Sequence, residues 1–139
     1  MIKLAVLDNE VQMLNHICDY INSLEEFRAK LEIHKFITAE SVLEALNQGE
    51  KFDIILSDIE LDTLQGIEFG KIIKDKYPDI YLVFLTSHPE YAVQSYALEA
   101  YQYILKSEME DRLPFILKRL VQMLDEVKEK YIVVKTRFE

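Results

Sequence analysis

Four apolar runs in this chain end on polar residues suited to handling a phosphoryl group. Ile2–Leu7 is followed by Asp8-Asn9, Ile54-Ile55-Leu56 by Ser57 and Asp58, Tyr81–Leu85 by Thr86, and Tyr101–Leu105 by Lys106. Two carboxylates and an amide oxygen are hard ligands of the kind Mg²⁺ takes, few in number and supplemented by water. A lysine opposite them completes a phosphate clamp, and a threonine hydroxyl donates a hydrogen bond to a phosphoryl oxygen. In that setting Asp58 is a nucleophile that becomes an aspartyl phosphate. Each residue alone has an ordinary structural use. Asp8 and Asn9 suit a helix cap, Thr86 a turn and Lys106 a solvated strand end. Their joint placement at strand ends points to chemistry.

The elements that must position these residues alternate between strand-like and helix-like patterns. After the strand Ile2–Leu7, Val11, Leu14, Cys18 and Ile21 recur at helical spacing. Leu31–Ile37 alternates apolar and polar residues, as a strand near a sheet edge does, and Val42, Leu43 and Leu46 then share a helix face closed by Gly49 as a left-handed cap. The run before Asp58 reads as a strand buried on both faces. A third helix carries Ile67, Phe69, Ile72 and Ile73 and ends before Pro78. Tyr81–Leu85 is the fourth strand, Pro89 opens a helix running to about Leu98, and Tyr101–Leu105 is the fifth strand. Leu113, Ile116, Leu117, Leu120, Leu124 and Val127 stripe a long final helix. Five strand-then-helix units predict a single α/β domain, its parallel sheet covered by helices on both faces. In such a sheet the C-terminal strand ends share one edge, so the polar residues converge there. Tyr131-Ile132-Val133-Val134 looks like one more strand.

Composition narrows the partners. The 139 residues are half hydrophobic, enough for one domain with a sizeable core. A net charge of −9 disfavours nonspecific contact with nucleic acid or anionic membrane and suits cations and basic patches. Cys18 is the single cysteine, so no internal disulfide forms and nothing argues for an oxidising compartment; the cytoplasm is the expected location. No run approaches membrane-span length, and Leu4–Leu7 is cut short by Asp8 before it resembles a signal peptide.

The ordered set of acid cluster, Asp58, Thr86, Tyr103 and Lys106, each at a strand end, resembles the receiver domain of two-component response regulators over roughly residues 2 to 130. The wording Phe84-Leu85-Thr86-Ser87-His88-Pro89-Glu90-Tyr91-Ala92-Val93 is similar to receivers that precede a LytTR-type DNA-binding domain. The resemblance implies a flavodoxin-like doubly wound fold, strand order 2-1-3-4-5, for residues 1–130. Residues 131–139 would be a linker or the first strand of an output domain absent from this sequence. It implies Asp58 as phosphoacceptor, a Mg²⁺ site of Asp8, Asn9, Asp58 and the Glu60 carbonyl, Thr86 and Lys106 on the phosphoryl group, and Thr86 and Tyr103 as the switch. The implied partners are a sensor histidine kinase and, on phosphorylation, a second copy of the chain, with DNA reached only through the output domain. Such a receiver catalyses only its own phosphoryl transfer and dephosphorylation. Two positions depart from the pattern: Asn9 stands where a second acid is usual, and Ser107 follows Lys106 where proline is common.

Other classes fit less well. A metal-dependent phosphatase of the haloacid dehalogenase type needs Asp-x-Asp after the first strand, where this chain has Asp8-Asn9-Glu10. A flavin carrier of the same fold needs a Ser/Thr/Gly-rich phosphate loop there. A receiver serving as a dimerisation module without phosphorylation is the nearer alternative, raised by Asn9. His16 and His34 read as structural, His88 as a residue bordering the pocket, and Cys18 as a core residue.

Overall fold

The computed structural model describes residues 1–61 and 64–130, with the backbone of the last helix assigned on to Phe138. Its elements are β1 (Ile2–Leu7), α1 (Val11–Ser23), β2 (Leu31–Phe36), α2 (Ala39–Asn47), β3 (Ile54–Ser57), α3 (Gly66–Lys76), β4 (Tyr81–Thr86), α4 (Ala92–Ala97), β5 (Gln102–Leu105) and α5 (Met109–Phe138). All strand pairs are parallel and the order is β2-β1-β3-β4-β5, the doubly wound arrangement expected. Among the described residues no helix is long and apolar enough to cross a membrane.

Period-two alternation along the strands sorts the core into two layers. On one face Ile2, Leu4, Val6, Ile54 and Leu56 pack with Leu14, Ile17, Cys18 and Ile21 of α1 and Leu113, Leu117 and Leu120 of α5. On the other, Ala5, Leu7, Ile55 and Phe84 meet Val42 and Leu46 of α2, Phe69 and Ile73 of α3 and, at the periphery, Leu98 after α4. β3 lies at the centre and is buried along its whole length, so its side chains must be apolar or small. Burial pushes the Cys18 thiol up to about 11, and it sits in the core as expected. β2 and β5 are the sheet edges. The Arg112 guanidinium reaches back from α5 to donate to the Tyr103 carbonyl at 2.9 Å and the Gln102 side-chain oxygen at 3.3 Å.

One feature differs from the sequence reading, and one expectation falls outside the described residues. The helix opened by Pro89 begins as a 3-10 turn over Pro89–Tyr91, leaving α4 only six residues long. The strand expected at Tyr131–Val134 lies outside the residues whose side chains are described, and the backbone there is assigned to α5. A strand needs a neighbour to satisfy its backbone groups, whereas a helix satisfies them within itself.

α2 and α4 end in the same hydrogen-bonded motif with different residues at its left-handed position. At α2, Gly49 N–H donates to Leu46 O (3.1 Å) and Glu50 N–H to Ala45 O (3.0 Å). At α4, Glu99 N–H donates to Tyr96 O (3.0 Å) and Ala100 N–H to Ser95 O (3.1 Å). Both pairs form a Schellman cap, but Gly49 has φ +101° and Glu99 has φ 64°. A side chain is strained there and glycine is not. Glu99→Gly should therefore stabilise the domain by about 0.5–1 kcal/mol, and Gly49→Ala should destabilise it by a similar amount. Urea unfolding with unchanged m-values checks both.

Candidate functional site

Strand register brings the polar residues together. Leu7 pairs with Ser57 across β1 and β3, and Ser57 with Phe84 across β3 and β4. The ladder continues one residue further, with Asp58 N–H donating to Leu7 O at 2.9 Å. Asp8 and Asp58 thus leave adjacent central strands side by side. Thr86 closes β4 and Lys106 follows β5 in a short 3-10 turn, Lys106–Glu108. The Lys106 ammonium lies 2.8 Å from Asp8 Oδ2 and 2.8 Å from Asp58 Oδ2. Asp8, Asp58 and Thr86 are 1%, 6% and 0% exposed.

Backbone donors fix the other oxygen of each acid. Asp8 Oδ1 accepts from Glu10 N–H at 2.9 Å, and Asp58 Oδ1 from Ile59 N–H at 2.7 Å and Glu60 N–H at 3.3 Å. Asp8 thus orders the loop before α1 without capping the helix, whose N-cap is Glu10 and has no side-chain cap, while its second oxygen faces the pocket. That oxygen, Oδ2, is fully buried and has only the ionic contact with Lys106, without an aligned hydrogen bond. Two buried carboxylates share one ammonium, which leaves the pocket a net negative charge and hard oxygen donors. This donor set fits a divalent cation such as Mg²⁺.

The model of the response regulator receiver domain matches residues 5–118. The chain belongs to this family. The receiver is 35% identical over 127 residues to the transcriptional regulatory protein LytR of Staphylococcus aureus, covering 91% of this chain and 47% of that protein. It is 30% identical over 140 residues to the sensory transduction protein LytT of Bacillus cereus, covering 100% and 52%. The chain spans about half the length of these curated relatives. Among solved structures it is similar to the response regulatory domain of mrkE from Klebsiella pneumoniae, at TM-score 0.79 and 28% identity, covering 90% of this chain and 99% of that one. It is also similar to the response regulator TrrA of Thermotoga maritima, solved in complex with Mg²⁺ and beryllofluoride, at TM-score 0.69 and 27% identity over 86% and 99%.

The remaining expected residues lie around the receiver's pocket. Asn9 is half-buried beside Asp8, and Glu60 follows Asp58 in the β3–α3 loop. Tyr103, on β5, is buried, and its hydroxyl donates to the His88 carbonyl. The Tyr103 ring lies inside, where its phenol finds an acceptor. The His88 N–H, in the preceding peptide group, donates to Thr86 Oγ1 at 3.3 Å. The backbone of His88 thus contacts both Thr86 and Tyr103. Tyr96 is exposed, and Tyr101 packs edge-on against Tyr81. His16 and His34 stand away from the pocket, His34 pairing with Glu32 at 2.6 Å. No cis peptide is present among the described residues, so the Lys106–Ser107 bond is trans.

Two contributors were not foreseen. A Cβ on Gly66 would sit 2.4 Å from Ile59 Cα and 2.7 Å from the Asp58 carbonyl oxygen. The start of α3 therefore closes against the backbone of the loop after Asp58 only with glycine there. A lone glycine opening a helix was the available signal. Tyr91 donates to Glu60 Oε1 at 2.9 Å, tying the β4–α4 connection to the β3–α3 loop, and this bond raises the Tyr91 pKa. Nothing in the local sequence pairs those residues.

Burial raises the Asp8 carboxyl above its ordinary value, against the pull of Lys106. Burial alone would lower the Lys106 ammonium, but Asp58 and Asp8 outweigh it and leave Lys106 raised. The signs differ in their consequences for stability. The raised lysine stabilises the fold below its unfolded pKa of 10.5, and this is lost as pH rises through the folded value. The raised acid makes ionised Asp8 a cost at neutral pH, relieved as pH falls through its folded value. Asp8→Asn, which keeps the oxygen for Glu10 N–H and leaves Lys106 paired with Asp58, should raise stability at pH 7 by on the order of 1 kcal/mol. The gain should shrink towards acid pH. Thermal unfolding across pH in EDTA checks this.

Proposed function

We propose that Asp58 takes a phosphoryl group from the phosphohistidine of a sensor histidine kinase, in a Mg²⁺-dependent reaction, and that the change at Thr86 and Tyr103 controls dimerisation and a C-terminal DNA-binding output domain. The observation that carries this reading is the Lys106 ammonium at 2.8 Å from both Asp8 and Asp58, buried at the C-terminal edge of the sheet. LytR and LytT, about twice this chain's length, are named as transcriptional and sensory regulators, which supports a transcriptional output.

The residues divide the work. Asp58 Oδ2 attacks phosphorus as the bond to the histidine nitrogen breaks. Lys106 gives up part of its pairing with Asp58 to meet the phosphoryl oxygens, and Thr86 supplies a hydroxyl donor. Asp8, Asn9, Asp58 and the Glu60 carbonyl would hold Mg²⁺, which neutralises charge on the phosphoryl oxygens. With Asn9 in place of an acid the set carries one negative charge fewer, so affinity for the ion is lower than with two acids before Asp58. Incubation with Mg²⁺ and a small phosphodonor, followed by intact mass measurement, should add one phosphoryl group to the wild type and none to Asp58→Asn or Asp58→Ala. A shift retained in either variant refutes the assignment.

The readout runs through His88. When the Thr86 hydroxyl turns to a phosphoryl oxygen it releases the His88 N–H, and the segment that Tyr103 grips by the His88 carbonyl is free to shift. That segment leads into α4, which with α5 presents the exposed apolar residues Val93, Tyr96 and Phe115. Such residues supply large contact area in an interface core. A symmetric dimer through this face would align two output domains on repeated DNA half-sites. Sedimentation of the beryllofluoride-treated domain should show a dimer at tens of micromolar for the wild type and a shift of at least about tenfold towards monomer for Thr86→Ala. A monomeric wild type, or a Thr86→Ala variant that dimerises equally, excludes this switch.

A further inference from the structure

Beside the acid pocket a second group of metal-ligating side chains converges. Glu60 from the β3–α3 loop and His88 and Glu90 from the β4–α4 connection each offer one ligand atom, and these atoms all lie within 4.8 Å of one another. His88 Nδ1 and Glu90 Oε1 are already 3.1 Å apart. Bonds of about 2.0–2.2 Å to a tetrahedral ion place neighbouring ligand atoms about 3.3–3.6 Å apart, so this pair needs to open by only a few tenths of an ångström to take one. Glu60 is held from outside the group by the Tyr91 hydroxyl, and the Tyr91 ring stands edge-on to the His88 ring with centroids 6.2 Å apart. A hydrogen bond onto a ligand carboxylate is the support that orients first ligands in metal sites. All three ligands are at least partly open to solvent, so an ion can enter and keep a water.

The donor set decides the class of ion. Mg²⁺ and Ca²⁺ take oxygen, which suits Asp8 and Asp58; an imidazole with two carboxylates is the mixed set that zinc and its neighbours accept. We propose that Glu60, His88 and Glu90 form a site for a divalent transition-metal ion of the zinc type, separate from the Asp8–Asp58 pocket, which clips the β3–α3 loop to the β4–α4 connection. The clip has a consequence for the fold. His88 is also the residue whose N–H and carbonyl bond Thr86 and Tyr103 respectively, so a bound ion restrains the segment through which those two side chains meet. The site needs neither Asp58 nor a phosphoryl group, so it stands or falls apart from the function proposed above.

Zinc binding to the whole chain is measured by competition with a chromophoric chelator at neutral pH in excess Mg²⁺, for wild type, Asp8→Asn, His88→Ala and Glu90→Gln. His88 and Glu90 are partly exposed side chains, so their variants should fold, which circular dichroism checks. Wild type and Asp8→Asn should bind one equivalent with the same affinity, and His88→Ala and Glu90→Gln should each weaken it by at least about tenfold. The site is overturned if the wild type shows no saturable binding, if His88→Ala binds as tightly as wild type, or if Asp8→Asn abolishes binding.

Discussion

Everything at the working edge of this domain depends on one ammonium group shared by two buried carboxylates. Lys106 stands 2.8 Å from an oxygen of each acid, and a charge pair taken out of water is tolerable only when its partners are held in place. The holding is done by backbone. Asp8 and Asp58 each spend one oxygen on the N–H groups of their own loops, which aims the other inward. The pocket is nonetheless short of positive charge by one unit, and this deficit makes it a place for a cation.

The parallel sheet is what makes such a meeting possible between residues so far apart in the chain. β1, β3 and β4 run side by side with their ends level, and their apolar residues serve two core layers at once. Rigidity at the strand ends contrasts with the adjoining connections. α4 is a six-residue helix with Ser95 as its buried residue and a strained left-handed residue at its end. The connections beside the strand ends are thus built from few buried contacts, and the strand ends themselves from many.

The order of elements and the identity of the pocket residues were legible because both rest on local pattern. Apolar runs ending at Asp8, Asp58, Thr86 and Lys106 needed only the convergence rule for parallel sheets to become a site. Contacts between loops were not legible. The Tyr91–Glu60 bond, the cradle that Gly66 leaves for Ile59, and the grip of Tyr103 on the His88 carbonyl depend on how two connections pass each other. No periodicity encodes this. The six-residue α4 was overestimated for a related reason, since Pro89 marks where helical dihedrals begin and not whether the first turn is 3-10 or α.

The Arg112 guanidinium bears on how copies of this domain can associate. An edge strand offers unpaired backbone groups to any other strand, and an open sheet has two such edges. On β5 the Tyr103 carbonyl is already taken by Arg112, while β2 carries Glu32, His34 and Lys35 along its length. A second sheet could not extend this one at β5 without first displacing a charged side chain from its acceptor. Uncontrolled growth by strand addition, the route to fibrous aggregates, is thereby made costly, and reversible association is left to the helical surfaces.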